Sequence, residues 1–505
     1  MGGMVNIGKH KVALIAQAIC SIVLLTVAFQ VIQKWQYQND DYYITFTFAR
    51  NVAEGRGFVY NGGAPILGTT TPLLALLLAF GSRLIPAIPI PALAIASGAM
   101  AWIGACWALY CHLLRSGINA FVASFTACGS LLWGCWARSH FGSEHPLFLF
   151  LLIAAVLALS LNRYLIAGIL MGCLYLTRGE GILLLPMAIG WVALNDRKWR
   201  WSILAGFLII VLPWSIYSVI AFNALFPNTL GAKVAQRASG MWQSIRDAWL
   251  YRGAYLGGSI GSIMSIQPQL PFLTTAWFSL PALGLLLSRR ATRLIALVFL
   301  FPVVSFSGYL ALNVAAYPWY TYLLAYGVHS LSLLGAAWLI TLSWKFTTGH
   351  TVPSRIGGVL VSACLFALVL FPVIRQVSLS IQPNLGLDNR SEPYRALAQW
   401  FNVNAVEGDT VAYVEVGYLG YFSRVQVIDM AGLVTPGVTE LLGRHDLGEV
   451  VTQREHPKYV VHVAPFDWLT GPYAATPGFL DNYKLVNEIQ TELWNNGVMQ
   501  IWKRL

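Results

Sequence analysis

Residues 12–44 read VALIAQAICSIVLLTVAFQVIQKWQYQNDDYYI, an apolar run followed by a short polar segment with two adjacent acids. The run covers about 20 residues, the length that a helix needs to cross the hydrocarbon core of a bilayer. Asp40 and Asp41 follow it within a few residues, at the predicted membrane boundary. Because charged carboxylates are costly at the membrane, they are functional candidates by default. The stretch therefore predicts a membrane protein with a reaction centre beside its first helix.

The composition extends this prediction to most of the chain. Of 505 residues, 57% are hydrophobic and 10% are charged, whereas soluble domains carry about 25% charged residues. Residues 1–375 contain 23 Lys and Arg against 7 Asp and Glu, while residues 376–505 contain 9 against 14. The positive charge thus lies in the membrane part, where retention of basic loops in the cytoplasm explains it better than nucleic-acid binding. We expect a polytopic helical membrane module, 1–375, followed by a polar C-terminal domain, 376–505.

The apolar stretches predict eleven transmembrane helices by their length. Basic residues recur in every second loop, and a cytoplasmic N-terminus places all of these loops inside. The odd number of spans then puts the C-terminal domain on the outer side, which is the periplasm for a bacterial inner membrane protein. The predicted spans lie near 12–33, 91–114, 118–137, 146–161, 164–178, 181–195, 201–222, 270–288, 293–313, 320–343 and 356–374.

Residues 34–90 form the predicted first outer loop. Its apolar segment at 71–85 is short for a span, and a crossing there would turn every later basic loop outward. We therefore expect this segment to lie at the outer interface, beside an amphipathic helix near 41–54.

The C-terminal part has the pattern of a small α/β domain. Runs rich in β-branched and aromatic residues at 410–414, 425–428 and 459–463 predict strands, and 393–401 predicts a helix. Its role is left open between an acceptor-docking or sugar-binding module and a stabilising cap.

With this orientation, six of the seven acids of residues 1–375 fall on the outer side, where basic and aromatic residues also collect. A mixed cluster at the lipid boundary suits a substrate with an anionic head and a lipid tail. Lys and Arg are suited to hold a phosphate, and a carboxylate to act as a general base. The candidate site residues on this face are Asp40, Asp41, Arg138, His140, Glu144, Arg178, Glu180, Lys233 and Tyr320.

Each candidate also has a purely structural explanation. Asp40 or Asp41 is a preferred residue for capping the next helix, and Glu144 suits the dipole at the start of a helix. Arg178 and Glu180 form a local ion pair in the structural alternative, and an interfacial aromatic belt explains Tyr320. The candidates gain weight together, because they follow alternate helices on one side.

Several segments resemble the type-C glycosyltransferases, above all the branch of the mycobacterial terminal arabinofuranosyltransferase. The first outer loop, DDYYITFTFARN at 40–51 with EGRGFVYN at 54–61, carries the most specific resemblance. The other segments similar to that branch are TTTPL at 69–73, GSEHPL at 142–147, TRGEG at 177–181, FPNT at 226–229 with Lys233, EVGYLGY at 415–421 and IDMAGL at 428–433. Protein O-mannosyltransferases and the lipid A aminoarabinose transferase are more distantly similar.

The resemblance implies a membrane enzyme that transfers a sugar, a pentose such as arabinofuranose or a hexose, from a polyprenyl-phosphate donor. The acceptor would be a hydroxyl of a cell-envelope glycan, lipid or protein on the outer face. By the family pattern Asp40 is the base and Asp41 its neighbour. Lys233, Arg178 and Arg138 would hold the donor phosphate. Substrate contacts are expected from Glu144, Glu180, His140 and Tyr320.

Other functions and a cofactor remain open at this stage. A transporter or flippase of a lipid-linked sugar is the main alternative, although the inverted repeats and broken helices typical of transporters are not apparent. A polymerase or ligase of surface polysaccharide would share the donor. Asp40, Asp41 and Glu144 offer oxygen ligands for a divalent metal, but we expect no metal and no other cofactor.

Overall fold

The computed structural model describes residues 2–62, 65–196, 200–240, 242–250, 295–349, 388–442, 444, 446–463, 478–491 and 497–505, with single positions at 356, 359 and 360. In chain order, the helices of the membrane part are α1 (Gly2–Gln33), α2 (Asp40–Ala53), α3 (Pro72–Leu84), α4 (Ile90–Arg115), α5 (Ala120–Trp136), α6 (His145–Ser160), α7 (Tyr164–Thr177), α8 (Leu184–Asp196), α9 (Trp201–Phe222), α10 (Asn228–Ala238), α11 (Ile245–Leu250), α12 (Ile295–Leu312) and α13 (Tyr322–Gly349).

Nine of the eleven predicted spans coincide with apolar helices, which are α1, α4–α9, α12 and α13. Four of these, α1, α4, α9 and α13, are long and apolar enough to cross a membrane by themselves. The others are apolar but shorter. The predicted span at 270–288 and all but three positions of the span at 356–374 lie outside the described residues. The fold is that of a multi-pass helical membrane protein.

Glycines allow α7 and α9 to pack in backbone contact. A Cβ at Gly168 of α7 would lie 2.0 Å from the carbonyl oxygen of Ile203, and one at Gly206 of α9 would lie 2.2 Å from that of Leu165. Gly172, one turn after Gly168, also faces α9. Small residues four apart are the usual means by which membrane helices approach closely. This contact places the end of α7, and with it the segment that begins at residue 178, against the bundle.

The first outer loop contains the two predicted helices, α2 and α3. The prediction for α2 was an amphipathic helix at the lipid interface, but α2 is enclosed on nearly all sides. Tyr43, Phe46 and Phe48 are fully buried, because the C-terminal domain covers the face that the sequence pattern leaves for solvent. On α3, in contrast, Leu77, Phe80 and Leu84 are 48%, 63% and 64% exposed, which suits an interfacial helix.

The C-terminal domain is a five-stranded sheet with helices packed against it. Its elements are α14 (Ser391–Asn404), β1 (Thr410–Tyr413), α15 (Gly417–Phe422), β2 (Gln426–Asp429), α16 (Leu447–Glu455), β3 (Tyr459–Val463), α17 (Phe479–Asn482), β4 (Tyr483–Gln490) and β5 (Val498–Arg504). The strand order is β2-β1-β3-β5-β4. Strand β1 pairs in parallel with β2 and β3, while β5 runs antiparallel to β3 and β4.

The three predicted strands and the predicted helix of this domain are confirmed as β1, β2, β3 and α14, whereas β4 and β5 were not predicted. The predicted domain boundary at residue 376 lies outside the described residues. The domain contacts the membrane part at several places. The N-terminus of α15 contacts the start of α2, β2 contacts Asn61, and the turn after β2 contacts α10.

Candidate active site

A cavity of about 720 Å³ lies between the first outer loop, the segments around residues 144 and 178, α10 and α12. Its wall includes seven of the nine candidate residues, which are Asp41, His140, Glu144, Arg178, Glu180, Lys233 and Tyr320. The C-terminal domain contributes Leu433. The topology-based prediction that these residues gather at one place therefore agrees with the geometry, whereas Asp40 and Arg138 are not in the wall.

The two neighbouring acids face different surroundings. Asp41 is exposed and lines the cavity. Asp40 is only 2% exposed, and its two carboxylate oxygens accept backbone N–H groups of Gly417 and Tyr418 at 2.9 and 2.8 Å. Burial raises the pKa of Asp40 to about 6, against the effect of these N–H groups. Asp40 therefore lies outside the cavity wall with one hydrogen bond to each carboxylate oxygen, and its family-based assignment as the base stays a prediction.

The start of α2 explains this division. Asn39 caps the helix, since its side-chain oxygen accepts the N–H of Asp41 at 3.1 Å. Successive residues of a helix point about 100° apart, so adjacent side chains in the first turn face different neighbours. One acid thus points to the C-terminal domain and the other to the cavity.

Arg178 forms the centre of a closed ionic cluster. Its Nη1 donates to Glu144 and its Nε donates to Glu180, both at 2.5 Å. Its Nη2 donates to the Tyr309 hydroxyl at 3.2 Å. The three charged side chains are only 10–14% exposed. Because two carboxylates already neutralise the guanidinium, this cluster carries a net negative charge, and Arg178 is poorly suited to the predicted phosphate contact.

Lys233 supplies the other cation of the wall. Its ammonium lies 3.7 Å from the centre of the Tyr317 ring and 5.8 Å from that of Trp319, and among the described residues it has no carboxylate within salt-bridge distance. Burial lowers its pKa to about 8, although Asp41, Asp429 and Glu415 act in the opposite direction. Lys233 is thus the cation best placed to meet an anionic ligand.

Of the remaining predicted site residues, His140 and Tyr320 line the cavity and Arg138 does not. His140 lines the cavity, and the Tyr42 hydroxyl lies 3.4 Å from its Nδ1. Tyr320 lines it with its ring 4.1 Å from that of Tyr309. Arg138 is 3% exposed and outside the wall, so the geometry gives no support to its predicted phosphate contact.

Several cavity residues were missed by sequence reasoning. Thr45, Thr69 and Thr71 form a cluster of hydroxyl groups, with oxygens 3.1–3.3 Å apart. Tyr309 binds Arg178 from within α12. A single tyrosine in an apolar helix has no charge that would identify it as a site residue. The threonines of the first outer loop also have no charge, and no recurring spacing in the sequence marks them. The threonines gave a signal only as parts of the family motifs at 40–51 and 69–73.

Five apolar side chains of the cavity lining are also exposed at the surface of the protein, and we call them the apolar mouth. The side chains at this mouth are exposed by 43–60%, and they come from the turn after α7, the loop before α10, α10 itself and the end of α12. They are Ile182, Leu225, Phe226, Leu230 and Leu312. Such a rim suits entry of a lipid chain from the bilayer rather than of a polar molecule from water.

Within the described part of the chain, no group of three or more His, Cys, Asp or Glu side chains is arranged to hold a metal ion. Of the three carboxylates considered as oxygen ligands, Asp40 accepts backbone N–H groups and Glu144 pairs with Arg178. Asp41 alone of these three faces the cavity without such a bond among the described contacts. The expectation of a metal-free reaction stays a prediction.

Comparison with protein-family models gives a match only in the C-terminal part of the chain. A family model described as a domain of unknown function, DUF8728, matches residues 383–502. No curated protein sequence matches the chain.

Solved structures share the fold over nearly the whole chain. The oligosaccharyltransferase of Archaeoglobus fulgidus, tethered to an acceptor peptide, is 14% identical with a TM-score of 0.59, over 97% of this chain and 74% of its own. AglB from the same organism, in complex with an inhibitory peptide and a dolichol-phosphate, is 14% identical with a TM-score of 0.58. The match covers 90% of this chain and 70% of AglB. ArnT from Cupriavidus metallidurans, bound to undecaprenyl phosphate, is 14% identical with a TM-score of 0.58. The match covers 96% of this chain and 97% of ArnT. The chain therefore shares the fold of these three structures.

Proposed function

We propose that this protein is a membrane glycosyltransferase that moves a sugar from a polyprenyl-phosphate donor to a hydroxyl of a cell-envelope glycan, lipid or protein. The observation that carries the proposal is the combination found in one cavity: an exposed carboxylate, a lysine and an apolar mouth. Solved proteins of the same fold bind a dolichol-phosphate and undecaprenyl phosphate, which supports a lipid-phosphate carrier here.

In the proposed reaction, Asp41 rather than Asp40 is the base. The acceptor hydroxyl gives its proton to Asp41 as its oxygen forms a bond to the anomeric carbon of the sugar. The bond between that carbon and the phosphate oxygen breaks, and polyprenyl phosphate leaves with the electron pair. Lys233 stabilises the charge that develops on the phosphate. A single displacement of this kind inverts the anomeric centre.

The apolar mouth and the ionic cluster around Arg178 assist the proposed reaction. The polyprenyl chain would lie across Phe226 and its apolar neighbours, which leaves the sugar between Asp41 and Lys233. Glu144 and Glu180 hold Arg178 in place, and their free oxygens and Tyr320 would contact the sugar. In this arrangement seven of the nine predicted residues stay in the site, with Arg178 bonded to Glu144 and Glu180 rather than to the phosphate.

The motifs of the first outer loop support a pentose such as arabinofuranose, with a hexose as the second candidate. We place the reaction on the outer face of a bacterial inner membrane, with the N-terminus in the cytoplasm and the C-terminal domain in the periplasm. Support for this orientation comes from the basic residues in the predicted inner loops.

The first test is transfer by the purified protein in detergent or liposomes, with a panel of radiolabelled polyprenyl-phosphate sugars. We expect label to move to a cell-envelope acceptor fraction, and Asp41→Asn to lower kcat by at least about 100-fold, because positioned general bases contribute that much. The amide keeps the size of the side chain but cannot take the proton.

The matched control is Glu54→Gln. This acid follows the same helix and pairs with Arg56 outside the cavity, so its variant should transfer at the wild-type rate. A fully active Asp41→Asn protein would contradict the assignment of the base. Failure of the wild type with every donor, combined with movement of a lipid-linked sugar across liposomes, would instead indicate a flippase.

A further inference from the structure

The contact between Asp40 and the C-terminal domain leaves almost no space. A Cβ at Gly417 would lie 1.8 Å from the carbonyl oxygen of Asp40 and 2.9 Å from its carboxyl carbon. Only glycine therefore allows the two backbones to approach this closely. The position of the first residue of α2 is fixed by the other domain.

The first turn of α15 also contacts the residues just before α2. The hydroxyl of Tyr418 lies 2.6 Å from the carbonyl oxygen of Gln38 and 3.0 Å from that of Gln36. Its ring packs on Tyr43, with ring centres 4.4 Å apart. The C-terminal domain thus contacts the chain both before and after Asp40 and Asp41 in the sequence.

Charges around the buried carboxylate also belong to the C-terminal domain. Arg390 pairs with Glu415 at 3.1 Å and with Asp388 at 2.8 Å. The guanidinium of Arg390 favours the ionised form of Asp40, while Glu415 and Asp41 disfavour it. The two N–H bonds are charge-assisted, and such bonds are shorter and stronger than neutral ones.

We propose that Asp40 is a positioning residue, through which the C-terminal domain fixes the orientation of Asp41 in the cavity. This inference rests on the proposed function, since it concerns the base of that reaction. The buried carboxylate ties the first turn of α2 to the N-terminus of α15, and the side chain of Asn39 accepts the N–H of Asp41. Loss of either tie lets the side chain of Asp41 leave its place.

The test compares variants of the whole protein in the transfer assay, with kcat, the KM for the donor and the pH profile of kcat/KM as readouts. Asp40→Asn replaces one acceptor oxygen by an NH₂ group that faces an N–H donor. Gly417→Ala disturbs the same contact without changing any charge. Tyr418→Phe is a milder third variant, because it loses the bonds to the carbonyl groups but keeps its N–H.

Positioning predicts a common result for the variants of this contact. Asp40→Asn and Gly417→Ala should lower kcat by about 10- to 100-fold, the usual effect of displacing a reacting group by about 1 Å. Tyr418→Phe should show a smaller loss. The KM for the donor should be unchanged, and the acid limb of the pH profile should remain, because the proposed base is still present. Asp41→Asn should remove that limb.

Asp409→Asn is the matched control. Asp409 is another acid of the C-terminal domain that accepts a backbone N–H, from Val406, and pairs with Lys458, and it does not line the cavity. Its variant should keep the wild-type kcat. If Asp40→Asn or Gly417→Ala fails to give a monodisperse protein, Tyr418→Phe decides the question alone.

The outcomes separate this inference from the proposed function. The inference is overturned if Asp40→Asn removes the acid limb while Asp41→Asn keeps it, or if the three variants of the contact all react at the wild-type rate. In both cases transfer by the wild type still supports the proposed function. A wild type that transfers no sugar from any donor overturns both.

Discussion

At the scale of single residues, the attraction of the cavity for phosphate depends on Lys233. The other cation of the wall, Arg178, is neutralised by Glu144 and Glu180. Lys233 packs on the face of Tyr317 instead, an arrangement that keeps its charge available to a ligand. Its protonation state therefore sets how strongly the cavity attracts the donor.

The lowered pKa of Lys233 gives a prediction for the alkaline side. Lysine is charged below its pKa, so its attraction for phosphate is present at neutral pH and is lost as the pH rises through about 8. We expect kcat/KM for the donor to fall above this pH. In Lys233→Arg the fall should be absent, because arginine stays charged throughout the pH range of the assay. The measurement is kcat/KM from pH 6 to 10.

Lys233→Ala provides the contrast, with a low kcat/KM that no longer changes at the alkaline end. The assignment would be contradicted if the alanine variant kept the alkaline fall of the wild type, since another group would then be responsible.

Charge is what made the site predictable at this scale. Acids such as Asp41, Glu144 and Glu180 stand out because residues 1–375 contain few, and the alternation of helices places them on one side. The sequence could not separate Asp40 from Asp41, because the partner that engages Asp40 is 377 residues away. Uncharged groups such as Tyr309 are equally invisible within an apolar helix.

At the scale of secondary-structure elements, the position of the site depends on the contact between α7 and α9. Gly168 and Gly206 bring the two backbones together, and the end of α7 carries the segment with Arg178. Packing in membranes depends on such close contacts, since the apolar surface of a helix gains little by leaving lipid.

Gly168→Ala should therefore destabilise the protein. Its methyl group would overlap the Ile203 carbonyl oxygen, and overpacking of this kind typically costs about 1–3 kcal/mol. We expect a lower melting temperature in detergent, measured by tryptophan fluorescence. The control is Gly190→Ala on α8, where nothing lies within 4 Å of the added methyl group. Equal melting of the two variants would count against close packing of α7 and α9.

The elements themselves were predictable to different degrees. Hydropathy identified the apolar helices because each needs a long apolar run. Strands β4 and β5 were missed, since YKLVNEIQ and VMQIWKR mix polar and apolar residues without the clear β-branched run of β3. The enclosure of α2 was also missed, because its cover comes from a distant part of the chain.

At the scale of the whole molecule, the C-terminal domain holds both sides of the cavity. Besides its contact with α2, its turn after β2 receives the side chain of Asn228, whose Nδ2 lies 2.8 Å from the carbonyl oxygen of Gly432 and 3.2 Å from that of Leu433. Gln236 donates to Ala431 at 3.1 Å. Since α10 carries Lys233, the domain contacts both the helix with the candidate base and the helix with the candidate phosphate contact.

Asn228→Ala should loosen the second link. We expect α10 to become accessible to limited proteolysis and the KM for the donor to rise, because Lys233 is no longer held against the cavity. The control, Asn402→Ala, loses a similar bond, to the Phe422 carbonyl within the domain, and should behave as the wild type in both assays. Unchanged proteolysis of α10 in Asn228→Ala would argue against the link.

The bonds of Asp40 to the C-terminal domain join residues 377 and 378 positions apart. The ribosome therefore makes Asp40 and Asp41 early and the residues that bond to Asp40 late. Contacts of such long sequence separation form only after the intervening chain has folded. A nascent protein already inserted in the bilayer has its lipid-facing mouth but no aligned base. Under the proposed function, full transfer activity thus begins only after residues 417 and 418 have been made, and unfinished chains transfer sugar at a much lower rate.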